Sequence, residues 1–580
     1  MSKRPVNSWC CDFETTSKQQ YLAEGETRVY LWGCSMIGSP DYEYGVTIDS
    51  FVDYIFKVAS TKDKIYFHNF SGFDSEFLLW WLFRNGFKEE REGYSPRFTK
   101  TFTHITTDMG QHYQIQIRYK RKILIFQDSY LLIPVSIESL GKIVGVKKLK
   151  ETHNYDEFKN YNNLSEVTDE ELSYIHNDIE IMKRGLQHFF DMGLNKLTIA
   201  SSAYSNWKNP SNIYLFERNN LRKPTDNEVN NIIDQSYRGA ITYLNPKYSR
   251  VELHDVVSYD FNSMYPSKMR FYSMPCSVPI KFESLDDCKK YAKTDKIIIQ
   301  IYIDNADCIE GFHPFIPTKK GMFNTSYEYN RHIDSKFISL WLKEYELFKT
   351  FYTGSWSEIC YVGFKEVNGI FNEYIDYWKN IKEHPKTDAE KFIAKRMLNS
   401  LYGKFGMNEE QNTKYIKNFT ESEGIEYEII ETSLPYKYRA MASYITMLAR
   451  VELISAIENN AKRFVYCDTD SIYLIGREIP DIPIHDYLFN HWKYEGHYNR
   501  YKALKTKCYM KQTDDGDIDI KVAGLPNDAR GSLTFENFDF GFKIVATDTT
   551  GKLQKRRVKG GIILDRTNFE IHLGKDLTNN

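Results

Sequence analysis

The sequence predicts a two-module chain, a mixed α/β module over roughly the first 195 residues followed by a larger, more irregular α+β module. Three observations predict it. Apolar strand-like runs near 8–14, 29–38, 64–68 and 113–128 are interleaved with helical periodicity near 72–84 and 168–190. Residues 195–235 are rich in Asn, Ser and Pro and read as a seam. Beyond it, short strands (256–261, 297–303, 464–475, 517–523, 561–573) alternate with long helices (333–348, 367–382, 388–403, 439–459). At about 150 residues per unit, 580 residues suggest about four domains or lobes. A hydrophobic fraction of 42% with 27% charged residues is that of an ordinary globular chain and excludes disordered, collagen-like and coiled-coil classes. The longest apolar run, Phe77–Phe83, falls short of the ~18–20 residues a membrane helix needs. Met1-Ser-Lys-Arg-Pro runs directly into the strand-like Trp9–Glu14, which leaves no room for a signal peptide. Nine scattered cysteines without a C-x-x-C pair fit a reducing compartment and argue against zinc or a disulfide framework. With a net charge of −2, any binding of nucleic acid must come from local lysine clusters set against clustered carboxylates.

In Cys10-Cys-Asp12-Phe-Glu14-Thr15 the strand period of two puts Asp12 and Glu14 on one face. Two acids side by side repel unless they are solvated or share a cation, so the pair reads as an edge strand or as part of a metal site. After the apolar Lys64–His68, Asn69-Phe-Ser-Gly-Phe-Asp74 delivers an amide and a third acid to a strand-to-helix junction. Thr168-Asp-Glu-Glu171 is a capping box that opens the next helix. On that helix Tyr174 and Asp178 lie four apart on one face, while Leu172, Ile175, Ile179, Met182 and Leu186 make a buried stripe. Four acids and a phenol, drawn from two strands and two helices, suit two divalent ions about 3.5–4 Å apart that activate water for phosphodiester cleavage.

Asp12-x-Glu14, Asn69-x₄-Asp74 and Tyr174-x₃-Asp178 resemble the three motifs of the proofreading 3′→5′ exonuclease domain of family-B DNA polymerases. The resemblance implies an RNase-H-like α/β domain over 1–195, in which Asp12, Glu14, Asp74 and Asp178 hold metals and Tyr174 positions the nucleophile. It implies further that Thr15, His68, Asn69, Phe73 and Phe77 grip a single-stranded 3′ end by hydrogen bonds and stacking. Ser129, in Gln127-Asp-Ser-Tyr130, matches another residue that touches the single strand, and Lys150 matches a lysine near the scissile phosphate.

A second set of carboxylates follows. Ser258-Tyr-Asp260-Phe-Asn-Ser-Met-Tyr265-Pro266 ends a strand and turns sharply. In Arg463–Ile475 two short apolar strands flank Asp468-Thr-Asp470, a hairpin that presents both acids at its tip, where they are either solvated or bind metal. Between these segments Thr387-Asp-Ala-Glu390 is a further capping box, and Gly403 reads as the end of the helix it opens. On that helix Lys391, Lys395, Asn399 and Tyr402 fall at i, i+4, i+8 and i+11, a stripe without an acid that suits a polyphosphate with a base and sugar beside it. Two Mg²⁺ between Asp260 and Asp470, with phosphates on Lys395, describe nucleotidyl transfer.

These segments resemble the polymerase motifs of the same family, D-x₂-S-L/M-Y-P, K-x₃-N-S-x-Y-G and Y-x-D-T-D-S. The resemblance implies a right-hand polymerase of palm, fingers and thumb over 196–580, with the thumb at about 500–580. In it Asp260 and Asp470 are metal ligands assisted by Asp468, with two Mg²⁺ (or Mn²⁺) per active site. Lys382, Lys395 and Asn399 face the incoming dNTP, Tyr265 is the gate against a ribose 2′-OH, and Tyr402 is the platform under the base. Lys391, Thr446, Arg450, Lys507 and Tyr509 match residues that hold primer or template. Tyr237 and Gly239, in Tyr237-Arg-Gly-Ala240, match the DNA-contacting segment that joins the modules; if the backbone there needs φ > 0, Ala240 is costly.

Residues 311–366 and 405–437 resemble the two terminal-protein regions of the protein-primed branch, the replicases of small tailed phages. That branch implies initiation on a hydroxyl of a terminal protein, processive strand displacement on primer–template DNA, and replication of a linear phage genome. It also implies a monomer, or a heterodimer with the terminal protein, acting without a membrane in the cytoplasm of an infected bacterial host. The basic cluster Lys552, Lys555, Arg556, Arg557 and Lys559 suits duplex phosphates or a solvated hairpin arm. Two rival readings are an exonuclease whose second module only binds DNA or a priming protein, and a polymerase primed by nucleic acid.

Overall fold

The computed structural model describes residues 6–573 except 92–94, 108, 151–157, 318, 321–326, 422–423 and 548. The N-terminal module is built on an eight-stranded sheet. Within it Ser8–Thr15 pairs antiparallel with Val29–Met36 and parallel with Lys64–Phe67, and Lys64–Phe67 pairs parallel with Lys122–Asp128. Alternation along Ser8–Thr15 sends Trp9, Cys11 and Phe13 into one core layer with Phe51 and Phe67. Cys10 on the other face joins Ile175 and Ile179 of the helix Asp169–Asp191. Asp12 and Glu14 share Cys10's face and therefore turn toward the helix that carries Asp178. That helix opens with the expected capping box, both Thr168 and Glu171 bonding reciprocally.

The single strand expected at 113–128 is a hairpin, His112–Tyr119 and Lys122–Asp128. Its turn residues Lys120 and Arg121 both have positive φ (45° and 63°), the backbone of a two-residue turn without the Asn-Gly that usually announces it. The seam expected at 195–235 is instead three helices, Ile199–Trp207, Ser211–Asn220 and Asn227–Ser236. Trp207 is buried there against Phe371 and Phe405 and donates its indole N–H to the Ile370 carbonyl (3.0 Å), so the segment is core rather than linker.

The second module is centred on a sheet ordered Ile518–Val522, Cys508–Thr513, Trp492–Lys505, Val256–Phe261, Ser471–Ile475, Phe464–Asp468 and Thr242–Leu244. A four-stranded sheet adjoins it, and here the expected helices are displaced. Residues 333–348 split into the strand His332–Trp341 and the helix Leu342–Phe351, because Ile338, Leu340 and Trp341 zip onto the apolar Ile297–Cys308. The helix expected at 367–382 starts only at Asn372, since Tyr352–Val367 is a 16-residue strand on the other edge of Ile297–Cys308. The helix Asp388–Phe405 runs through Gly403 and is capped at Gly406. Its capping box is half made: Thr387 accepts from the Glu390 N–H, but the Glu390 carboxylate accepts from the Lys386 N–H.

The helix Arg439–Asn459 is long and apolar enough to cross a membrane by composition (mean hydropathy 1.4), yet 83% of that stretch is buried inside the chain, as a central helix of the core. Two hairpins of the second module reach back to the first. Glu410–Thr420 with Gly424–Ser433 stacks Phe419 on Phe83 (4.9 Å) and edge-on to Trp80 (5.0 Å). Lys552–Val558 with Gly561–Thr567 lays Gly561 on Phe77 and anchors Arg557 to Glu76 through two hydrogen bonds of 2.8 and 2.7 Å.

Candidate active sites

In the N-terminal centre, Asp12 comes from the strand, Asp74 from the first turn of the helix Asp74–Arg84, and Asp178 from the helix Asp169–Asp191. Burial, then the charge of Asp178, pushes the Asp12 carboxyl up to about 7, with Lys148 opposing. Burial and Asp12 likewise raise Asp74, opposed by its own helix N-terminal N–H. Asp178 is raised by burial and held down by Lys148, whose Nζ lies 2.7 Å from Oδ2; its Oδ1 is buried without a partner. Tyr174 lies beneath the same ammonium, 5.0 Å from ring centre to Nζ. Glu14 shares the Asp12 face but stands at a register shift between Glu14 and Thr15.

The loop that feeds this centre is organised by Asp128, which no motif flagged. Its carboxylate accepts from the N–H groups of Asn69 (2.9 Å), Ser71 (3.0 Å) and Tyr130 (2.8 Å) and from Ser71 Oγ (2.5 Å). Asn69 itself sits at φ 67° with its side chain exposed. Thr15 and Phe73 are partly open to solvent.

Other residues expected here are placed differently. His68 has both ring nitrogens engaged, with Ser129 Oγ (3.0 Å) and the Val135 carbonyl (2.7 Å), so only its ring face is open to a ligand. Ser129 is fully buried, its hydroxyl within hydrogen-bond distance of both His68 Nδ1 and the Phe67 carbonyl (3.0 Å each), which makes it a prop for His68 rather than a group a strand can touch. Phe77 is 2% exposed and covered by Gly561. Lys150 is exposed, and the lysine that meets Asp178 is Lys148. In Val146-Lys-Lys-Leu-Lys150 several lysines precede the helix, and sequence alone does not say which turns inward.

In the second centre, Asp260 stands opposite Ser471 in the sheet, next to the turn that carries Asp470, and the Phe261 N–H donates to the Asp470 carbonyl (2.7 Å). Thr469, at φ 62°, makes the tight turn that exposes both acids. Burial, then Asp470, pushes Asp260 up to about 7; burial, then Asp468, pushes Asp470 up to about 6; Lys395 opposes both. Among the described residues neither acid makes an ion pair. Asp468 differs: it pairs with Lys507 (2.7 Å) and accepts from Thr242 (3.1 Å) and Thr469 (3.1 Å). Lys507 is thus committed to the centre, and Tyr509 packs with Tyr466 and Tyr473 behind it. Lys382 donates to Ser263 Oγ (3.0 Å), and its ammonium is held below its usual value by burial and by Lys395. Lys391, Lys395 and Asn399 are exposed along one helix face, and Tyr402 stacks on Tyr265 at 4.0 Å and 24°.

Thr446 and Arg450 are 1% and 2% exposed, which removes them from direct contact with a strand. Arg450 donates to Glu344 (2.8 Å) and to the Arg238 and Gly239 carbonyls, and Arg238 donates to the same Glu344 (3.1 Å). The pair therefore fastens the Tyr237–Ala240 segment to the helix Leu342–Phe351. Tyr237 packs on Gly406 and Gly239 is exposed; neither Gly239 nor Ala240 has a positive φ, so alanine costs nothing there.

The residues fit a hard divalent ion. Among the described residues no three carboxylate, imidazole or thiol groups converge tightly enough to enclose a metal. The first centre instead offers Asp12, Asp74 and Asp178, with an orphan Asp178 oxygen, and the second Asp260 and Asp470, the open donor set of an ion that keeps water and takes substrate phosphates as its other ligands.

A right-hand polymerase with an N-terminal exonuclease domain is the class that this fold and these two centres define. A profile of the family described as "DNA polymerase type B, organellar and viral" matches residues 56–161 and 143–487, and the chain belongs to that family. It is 32% identical to the DNA polymerase of Bacillus phage phi29 over 98% of this chain and 100% of that one. It is 31% identical to that of Bacillus phage B103 (98% and 100%) and 26% identical to that of Streptococcus phage Cp-1 (97% and 98%). The solved structure of Phi29 DNA polymerase in an orthorhombic crystal form superposes with a TM-score of 0.87 at 29% identity, covering 98% of this chain and 100% of that one. The same polymerase complexed with primer-template DNA and incoming nucleotide substrates superposes at 0.84, with the same identity and coverage.

Proposed function

We propose that this chain is a DNA-directed DNA polymerase with its own 3′→5′ exonuclease, that it initiates on a hydroxyl of a terminal protein, and that it displaces the non-template strand as it advances. The observation that carries this reading is the presence in one chain of two separately built carboxylate centres, each of which repels itself until cations arrive. At the second centre Asp260 and Asp470 hold two Mg²⁺ or Mn²⁺, and Asp468, neutralised by Lys507, keeps the turn in place. Lys395 and Lys382 neutralise the triphosphate of the dNTP, with Asn399 beside them. Tyr402 backs the nascent pair, and Tyr265, stacked on it, leaves no room for a 2′-hydroxyl. At the first centre Asp12, Glu14, Asp74 and Asp178 hold the ions, Tyr174 orients the water, and Lys148 stands where a scissile phosphate is neutralised. Bound divalent ions supply a lowered pKa for the attacking water or 3′-hydroxyl and charge stabilisation on the phosphate.

Residues 311–366 and 405–437 are the proposed terminal-protein regions, and 500–580 the thumb. The closure of both reaching hairpins onto the N-terminal module supports an enclosed path for DNA and synthesis without dissociation. The partners are then primer–template DNA, the displaced strand, dNTPs and a terminal protein, and the place of action is the cytoplasm of an infected bacterial cell. The test is extension of a singly primed circular single strand with Mg²⁺ and four dNTPs, wild type against Asp470→Ala. Products many times the circle length, absent from the variant, are expected. Products that stop at one circle would remove strand displacement, and primer shortening alone, equal in both proteins, would leave only the nuclease.

A further inference from the structure

The hairpin Lys552–Val558/Gly561–Thr567 delivers a cation to the first centre. Arg557 bonds Glu76 twice and the Gly110 carbonyl at 2.9 Å, Thr27 N–H donates to the Lys559 carbonyl (3.0 Å), and Lys18 pairs with Asp565 (2.6 Å). Two residues before Arg557, on the same strand face, Lys555 extends over the Phe70–Gly72 turn. A Cβ on Gly72 would collide with both Lys555 Nζ and Asn69 Oδ1, so the ammonium and the amide oxygen crowd the same spot, open only because residue 72 is glycine. The carboxylates whose field Lys555 feels are Asp74, then Asp128, then Glu76. Two of these are engaged elsewhere, Asp128 by four donors and Glu76 by Arg557 through Oε1, its Oε2 being buried without a partner. Among the described residues Lys555 makes no ion pair and no hydrogen bond, and it remains open to solvent.

We propose that Lys555 is a positioning residue of the exonuclease centre, brought by the C-terminal hairpin to hold a phosphodiester of the single strand as it passes Asn69 toward Asp74. This rests on the exonuclease reading above and departs from a duplex-binding role for the basic cluster. A strand phosphate is the ligand that fits. It is an anion that can displace none of the engaged carboxylates, meets an ammonium unpaired among the described residues, and lies beside the exposed Asn69 amide. Gly72 then serves to keep the passage between Lys555 and Asn69 clear.

The test uses the full chain, a 5′-labelled oligo(dT) of about 15 nucleotides and Mg²⁺, with kcat and KM measured across a salt series. Removing a single ammonium–phosphate hydrogen bond predicts that Lys555→Ala raises KM about tenfold with kcat nearly unchanged. The slope of log KM against log salt should flatten by about 0.7, the single-strand value for one phosphate. Lys555→Met, which keeps the stem and its packing, should behave like alanine, and Lys555→Arg should restore both parameters. Dissociation of primer–template duplex, measured in an Asp12→Ala background, should be unchanged. An unchanged KM and slope, faster degradation by Lys555→Met (an ammonium that blocks the cleft), or weakened duplex binding in its place would each overturn the proposal. If the wild type leaves the oligonucleotide as intact as Asp12→Ala does, the exonuclease reading itself falls.

Discussion

Replacing Asp260 by asparagine is expected to make the metal-free chain more stable while abolishing synthesis. Burial and the facing Asp470 hold this carboxyl at about 7 instead of 3.8. Holding it ionised at pH 8 costs the folded chain at most about 4 kcal/mol before screening. Because the side chain is partly open to water and Lys395 lies nearby, about 1–2 kcal/mol is the realistic gain from removing it. The folded pKa lies above the unfolded one, so the folded chain binds the extra proton. The stability this gives is present at low pH and lost as the pH rises through about 7. In EDTA at pH 8 the variant should therefore melt about 1–2 °C above wild type, and the gap should shrink as the pH is lowered toward 5. Adding Mg²⁺ should close or reverse it, since only the wild type gains a bound ion. Primer extension should fall by about 10³ or more. A variant that melts at or below wild type in EDTA at pH 8 would refute the reasoning, because burying this charge beside Asp470 would then cost the folded chain nothing.

Asp12→Ala combined with Asp74→Ala should abolish degradation of single strands and leave primer extension intact; loss of both activities in a folded protein would mean that the centres are not independent. Tyr265→Val should admit ribonucleotides, read as the ratio of kcat/KM for dNTP and rNTP, and an unchanged ratio would remove the gate from Tyr265. Phe419→Ala deletes two aromatic contacts worth about 1–3 kcal/mol together, so products on a primed circle should shorten while single-nucleotide addition keeps its rate. Burial, then His104 and Arg557, hold the His112 imidazole well below its usual value where it meets Tyr427 of the 410–433 hairpin (3.1 Å). The stability it contributes is present above about pH 6.5 and is lost as the pH falls below that. Proteolysis within Glu410–Ser433 should accordingly be faster at pH 5.5 than at 7.5, and His112→Phe should remove the difference.

What was legible in the sequence was what short-range periodicity determines. Asp12 and Glu14 share a face because a strand alternates, Tyr174 and Asp178 because a helix turns in 3.6 residues, and Asp468-Thr-Asp470 sits at a hairpin tip because two apolar strands flank it. Illegible was whatever a distant partner decides. Residues 333–341 have an acceptable helical pattern and become strand only because Ile297–Cys308 offers an apolar edge. Arg450 matches a residue expected from the resemblance to hold primer or template, yet Glu344, 106 residues away, takes it into the interior. Ser129 lies hydrogen-bonded to His68, which spacing cannot reveal, and Asn177 fixes Lys148 rather than Lys150 over Asp178 by donating to the Lys147 carbonyl and accepting from the Leu149 N–H.

The two reaching hairpins have the same abutment. One leans on Trp80 and Phe83, the other on Glu76 and Phe77, all on the single helix Asp74–Arg84. That helix is the keystone of the arch, and its first residue, Asp74, is an acid of the first centre. Trimming away the N-terminal domain to obtain a simpler enzyme would therefore leave both arms of the second module without a footing. A nuclease-free version of this protein is to be reached by changing single carboxylates, with the helix left standing.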